Sequence, residues 1–330
     1  MKLSTMVRGV WPGLFLVVMA CHKDHPKPSS ASSGDTITKE AANNFSLFLY
    51  YSALTSTGYG DTLALRGPFT VLGPSNAAFQ NAGFNSSADI IHASDSMFRL
   101  MPYLILRQRL AIDSVPMGFN QELTASNGQK LYLTHWANER DTAVVVNGVR
   151  ISTLSRLASN GLVNIADGLI YPSSFADVKA AVSGDADLTL FNAALIQSGL
   201  ADQLKTGGPY TVFAPTNAAF AAIGILTTDS VYNMDPAMLK ALIQAHIVAE
   251  RRFVYDYILM ADVTVSSFDE TMLDGSTVTM TLIPDYSIPG RFTGVKLSSA
   301  AVSGVGLTRS NVLAGNGVVH SINTLLNSNF

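Results

Sequence analysis

The residues of this chain that could do chemistry are few and scattered. One cysteine, Cys21, and six histidines, His22, His25, His92, His135, His246 and His320, are the candidate nucleophiles, bases and metal ligands. A zinc hydrolase sets two histidines one helical turn apart, with a glutamate beside the first, so that both reach one ion from one helix face. None of the six is spaced in that way, and no G-x-S-x-G elbow is present to activate a serine. Asp262, Asp269, Glu270 and Asp274 form an acidic run that could attract calcium, but the twelve-residue EF-hand spacing is missing and a solvated surface is the better reading. Gly304 and Gly306 make a G-x-G in a Ser/Gly-rich stretch, which lacks the strand–helix context of a phosphate loop. Trp136 falls in a segment, 134–141, read as a loop between two strands; there it could stack on a sugar ring, although core packing is favoured. No catalytic residue, cofactor or metal ion is therefore expected. His246, set in the apolar run LIQAHIV, reads as a buried, hydrogen-bonded ring that fixes the turn near Thr216 and Asn217, and His320 reads as similar.

The cysteine has a different use. Lys2 and Arg8 precede an apolar stretch at 9–20, too short for a membrane span and right for a signal segment. Cys21 follows Val18-Met19-Ala20, which resembles a bacterial lipobox, where a signal peptidase cuts before a cysteine that is then lipidated. Met19 departs from the usual small residue; the alternative is an ordinary signal peptide with an incidental cysteine. Residues 21–35 read as the lipidated cysteine and a flexible Pro/Ser/Lys tether, and a Lys-Asp pair there resembles the surface-export signals of Bacteroidetes lipoproteins. The implied partner is a lipid bilayer, held through acylated Cys21, and the implied place is the cell envelope at the outer membrane. The formal charge of −3 and the lack of a polybasic tract give no reason to expect nucleic acid.

The elements behind these residues are legible because the chain says one phrase twice. Residues 69–79 read FTVLGPSNAAF and 210–220 read YTVFAPTNAAF, identical at seven of eleven positions and offset by 141 residues. That offset is the size of a domain. In the second copy the apolar, β-branched and aromatic run 210–213 predicts a buried strand, Pro215 ends it, and Thr216 and Asn217 can cap a helix that begins at Ala218. The first copy repeats this with Ser75 in place of Thr216. Segments 47–64 and 190–205 precede the phrase, 100–110 and 242–253 follow it, and Asn-Gly phrases at 160–172 and 316–327 close each copy. Short strands are predicted at 130–133 and 143–146 with Asn147-Gly148 as a turn, and a half-buried strand at 276–283. With 48% apolar and 14% charged residues, two packed domains at 36–175 and 176–330 are expected.

Together these phrases resemble the fasciclin (FAS1) family, with a first signature of the type TxFAPTNxAF and a last of the type NGVxHxIDxVLxP. The matching residues are Thr70, Pro74, Ser75, Asn76, Phe79, Asn160, Gly161 and Asp167 in the first copy. In the second they are Thr211, Pro215, Thr216, Asn217, Phe220, His246, Asn316, Gly317 and His320. The resemblance implies an α+β fold, two tandem domains each a mostly antiparallel β wedge with several short helices, and non-enzymatic adhesion or ligand binding to an unknown protein or glycan. The Tyr-His pair discussed as an adhesion determinant of the family is split here: Tyr103-Leu104 in the first copy, Ala245-His246 in the second. The last signature is split too, with Asn164 opposite His320 and Asp167 opposite Asn323. The first copy is the more divergent, and the matching residues read as structural.

Replacing Cys21 with Ser is expected to move the protein from the membrane to the soluble fraction of fractionated cells. Unchanged membrane retention would remove the lipid anchor.

Overall fold

The computed structural model describes residues 34–140 and 142–327; the signal segment, Cys21, His22, His25 and the tether up to residue 33 lie outside the described residues. Asp35, assigned to the tether by its composition, instead accepts the Ser159 N–H at 2.9 Å and so belongs to the first domain's fold.

Each copy builds a seven-stranded sheet flanked by short helices. In the first the strands are β1 (Phe69–Pro74), β2 (Ile105–Leu106), β3 (Gly118–Thr124), β4 (Lys130–Ala137), β5 (Thr142–Val146), β6 (Val149–Ala158) and β7 (Gly161–Ala166), in spatial order β2-β1-β7-β6-β5-β4-β3. The second uses β8 (Tyr210–Pro215), β9 (Ile247–Val248), β10 (Ser267–Thr271), β11 (Thr277–Pro284), β12 (Phe292–Ser298), β13 (Val305–Ala314) and β14 (Gly317–Ile322). Its order, β9-β8-β14-β13-β12-β11-β10, is the same topology. Neighbours are antiparallel except β1 with β7 and β8 with β14, which run parallel.

The local reasons match the residues. β8 and β14 are buried along their whole length, as a parallel pair covered on both faces should be, and their polar residues Thr211 and His320 are hydrogen-bonded. β11 alternates, burying Val278, Met280 and Leu282. Ser75 and Thr216 sit in extended backbone after their strands, and each hydroxyl accepts the N–H of the third residue on, Ala78 at 3.1 Å and Ala219 at 3.3 Å. The Asn147-Gly148 turn joins β5 to β6 with φ values of 49° and 79°, the left-handed pair that a two-residue hairpin demands.

Each domain has its own core. Tyr50, Phe79, Met101 and Tyr103 are fully buried in the first, Phe191, Phe220, Phe213 and Tyr257 in the second. A further contact joins the two. Tyr132 packs with Phe253, Leu313 and Val318, and Ala143 and Val145 pack with Leu259. Trp136 lies here as well. It stands inside β4 rather than in a loop, with its ring 4.7 Å from Phe119, half-buried against the Ala143–Val145–Leu259 contact. β4 extends four residues beyond the run that the sequence suggests because the interface packs its far end.

Since the second half holds a complete sheet and core, a 176–330 fragment is expected to fold alone but to melt at least about 3 °C below the same domain in the full chain, the scale of a lost 1 kcal/mol in a domain of this size. Near-UV circular dichroism with thermal melting tests this. A molten fragment would show dependence on the first domain, and an unchanged melting temperature would show an interface of no energetic weight.

Candidate functional site

The signature side chains converge on backbone groups. Asn160 accepts the Ile37 N–H at 2.9 Å and donates to the Leu63 and Leu65 carbonyls, both at 2.7 Å. Asn316 repeats this with the Val178 N–H at 2.8 Å and the Leu204 and Gly207 carbonyls at 2.9 and 2.7 Å. Gly161 and Gly317 follow because a Cβ at either would run into the carbonyl of Phe69 or Tyr210 on the parallel neighbour. Asn76 and Asn217 accept from Leu49 and Leu190 at 2.9 and 3.0 Å and donate to the Phe45 and Ala186 carbonyls at 2.8 and 3.0 Å. Thr70 and Thr211 donate to the Gln108 and Glu250 carbonyls, each at 2.7 Å, and accept from Leu110 and Arg252, each at 2.8 Å. Pro74 and Pro215 end β1 and β8, while Phe79 and Phe220 are fully buried. Asp167 approaches Arg291 of the second domain at 3.9 Å.

Two histidines occupy the same kind of place. His246 is fully buried, with Nδ1 2.8 Å from the Leu242 carbonyl and Nε2 accepting the Leu326 N–H at 2.9 Å. Its partners are thus the preceding helix and the C-terminal segment, not Thr216 and Asn217. His320 accepts the Asn311 N–H on Nδ1 at 3.2 Å and places Nε2 2.9 Å from the Arg252 carbonyl. Asn311 carries φ 59° in a bulge where β13 changes register. In the first domain Asn164 accepts the N–H of Ser155, φ 49°, at 2.8 Å in the matching bulge of β6. Asn164 and His320 therefore perform one task with different chemistry. Tyr103, the other half of the split Tyr-His pair, is buried and hydrogen-bonded to the Lys130 carbonyl and the Asn147 amide, each at 2.7 Å.

The acidic run does not converge. Asp262, Asp269 and Asp274 accept from Thr264, Thr279 and Ser276, whereas Glu270 faces Arg252 at 3.6 Å. Among the described residues no three His, Cys, Asp or Glu side chains come together to hold a metal ion.

What the sequence did not point to is the junction of the domains. Asp256 is fully buried there and accepts the Asn120 amide at 3.0 Å, the Thr134 hydroxyl at 2.9 Å and the Phe253 N–H at 2.8 Å. Two of those three donors belong to the first domain. Burial pushes the Asp256 carboxyl up from the ordinary carboxylate range, with the hydrogen bonds acting in the opposite sense. Asn120 also donates to the Arg251 carbonyl at 2.8 Å, and the Arg251 guanidinium lies 3.6 Å over the Tyr132 ring. Asn138 and Arg140 reach across to the Leu259 and Asp262 carbonyls at 2.8 and 2.6 Å. The only hint in the sequence is Asp256 three residues into a helix start, an ordinary capping position. Beside this contact a cleft of about 760 Å³ opens, walled by the helix Ser94–Tyr103, residues 169–175 and β13.

Burial pushes both His246 and His320 down from 6.5 to about 4. A depressed histidine contributes stability that is fully present above the unfolded value and is lost as pH falls from 6.5 towards 4. At about 1.4 kcal/mol per unit, each ring removes roughly 3 kcal/mol over that window. Asp256 and Glu270, both raised by burial, act in the opposite sense below their folded values. Their effect cancels when the parent is compared with His320→Asn, which imports the first domain's solution. Urea unfolding at pH 7.5 and pH 5 is expected to show a smaller acid loss in His320→Asn than in the parent. An equal loss in both would mean that His320 is not a source of acid lability.

A family model described as the Fasciclin domain matches twice, at residues 44–172 and 186–328. The chain is 25% identical over 289 residues to human periostin, covering 83% of this chain and 31% of that protein. It is 24% identical over 261 residues to the transforming growth factor-beta-induced protein ig-h3 of Sus scrofa, covering 79% of this chain and 35% of the relative. The chain thus spans about a third of the length of these two relatives. Among solved structures, a FAS1 domain pair from the insect cell adhesion molecule Fasciclin I aligns with TM-score 0.40 and 17% identity, covering 86% of this chain and 97% of that one. Two matches in tandem, each enclosing a seven-stranded sheet of the same topology, establish that the chain belongs to the fasciclin (FAS1) domain family.

Proposed function

We propose that this chain is a non-enzymatic cell-envelope lipoprotein that mediates adhesion or ligand binding through its tandem FAS1 domains. The observation that carries this reading is how the signature side chains are used. Asn160, Asn316, Asn76, His246 and His320 spend their polar atoms on backbone, and Asn217 does so apart from one bond accepted from the Thr189 hydroxyl, which leaves recognition to surfaces between and around the domains. The family resemblance favours binding over catalysis, and among the described residues the rings of His246 and His320 bond to backbone groups, not to a nucleophile. Anchoring through acylated Cys21 at the outer membrane rests on the lipobox-like sequence. Among the described residues no helix is long and apolar enough to cross a membrane.

A second reading is an accessory glycan-binding component of a SusC/SusD-type outer-membrane uptake system, and the cleft between the domains favours it over a structural subunit of an envelope complex. The test is a screen of the Cys21→Ser chain against arrayed glycans and matrix proteins. A specific ligand, lost when one domain is removed, is the expected result. A blank array, with no envelope protein co-purifying with the native chain, would end the binding reading.

A further inference from the structure

We propose that the cleft at the domain junction is a binding site for an acidic oligosaccharide, one whose sugars carry carboxylates. The inference rests on the binding reading above and gives it a place and a ligand class. At about 760 Å³ the cleft is of the size that holds a few sugar rings.

Its charge is one-sided. Two arginines line it, Arg99 from the first domain and Arg309 from the second, and no carboxylate does. Arg99 is exposed and forms no ion pair among the described residues. Arg309 meets Asp185 at 3.0 Å, but its side chain stays 59% exposed. A guanidinium carries five donors, so one carboxylate leaves several to offer. Planar guanidinium forks match carboxylates in a bidentate way, and in a chain of net charge −3 this local excess of cations stands out.

The walls suit a carbohydrate. Tyr171 is 56% exposed at the edge of the cleft, beside Pro172, and an aromatic face with a hydroxyl tip is what sugar rings stack upon. Ser96, Ser174 and Ser310 line the cleft with hydroxyls that have no protein hydrogen-bond partner among the described residues, so they remain available to sugar hydroxyls.

An acidic peptide is the competing ligand, and β13 argues against it. β13 parts from β12 after Gly306, which would leave an edge for strand addition. That edge is broken where the register shifts between Arg309 and Val312. Asn311 gives its N–H to His320 there, and the Phe175 carbonyl already takes the Gly315 N–H at 3.0 Å. A peptide finds no continuous ladder, whereas a sugar chain read by side chains needs none.

The site is complete only in the joined domains, because each contributes one arginine. The buried Asp256 contact sets their separation before any ligand arrives, and such preorganisation lowers the cost of binding.

The test is calorimetric titration of the purified Cys21→Ser chain with trigalacturonate and with neutral galactotriose at low salt. Trigalacturonate is expected to bind, and galactotriose at least about tenfold more weakly, the scale of a charge-assisted hydrogen-bond pair. Arg99→Gln and Arg309→Gln are each expected to weaken trigalacturonate by a similar factor with unchanged melting temperature, since both side chains are exposed and the Arg309–Asp185 pair is a surface one. No binding of trigalacturonate, equal affinity for the neutral trisaccharide, or unchanged affinity in both variants would overturn the proposal. Tighter binding of hexaglutamate than of trigalacturonate would also overturn it, in favour of a peptide. Failure here alongside a specific hit on the array removes the cleft assignment alone; a blank array with no envelope protein co-purifying removes the binding reading itself.

Discussion

The structure depends on one contact made twice: the parallel pairing of the strand that opens each repeat with the strand that closes it. β1 lies on β7 and β8 on β14 with no hairpin between them, so something other than a turn must set the register. Asn160 and Asn316 do so at the first rung. Each gathers a helix-start N–H and two carbonyls at the C-terminal end of another helix, and each is followed by a glycine where the neighbouring carbonyl leaves no room for a Cβ. Once the rung is set, the rest of the strand pair falls into step, down to Pro74 opposite Ala166 and Pro215 opposite Ile322. The family's two signatures, about 90 to 105 residues apart in the chain, are the two sides of this pair.

A signature that encodes a strand pair is informative about fold and silent about ligand. That is why the fold was legible in this sequence and the site was not. The duplicated phrase, the cap at Ser75 or Thr216 and the Asn147-Gly148 turn all follow local rules, and each stands where those rules put it. Trp136 did not, because the end of β4 is held by Leu259 and Phe119, and a partner 123 residues away leaves no local trace. His246 was read as buried and bonded, but its partners were misjudged: the Leu326 N–H lies 80 residues on, and nothing near His246 names it. Asp256 is the extreme case. Its sequence context is a routine helix start, and only the arrival of Asn120 and Thr134 from the other domain makes it special.

The Asp256 contact also decides what kind of two-domain protein this is. A carboxylate taken fully out of water costs several kcal/mol, and three neutral donors offset that cost only when all are in place. A small rotation of one domain would orphan the group. Leu259, Phe253 and Tyr132 would tolerate sliding, since apolar contact is not directional. The apolar contacts hold the domains together, whereas the hydrogen-bonded carboxylate selects one orientation.

The two copies differ where this orientation is made. The second domain supplies Phe253 and Asn311 against the Asn147-Gly148 turn of the first, close enough that a Cβ at Gly148 would meet both. Asn311 can stand there because His320 accepts its N–H in the strained bulge, while its own side chain accepts the Val254 N–H at 2.9 Å. The first domain solves its bulge with Asn164 and Ser155, and Ser155 turns instead to Asp113 at 2.5 Å within its own domain. A histidine at position 320 thus supports a bulge that faces the partner domain, and an asparagine at 164 supports one that does not. The departure from symmetry that looks like decay in the first copy is, in three dimensions, the difference between an inward-facing and an outward-facing use of the same strand.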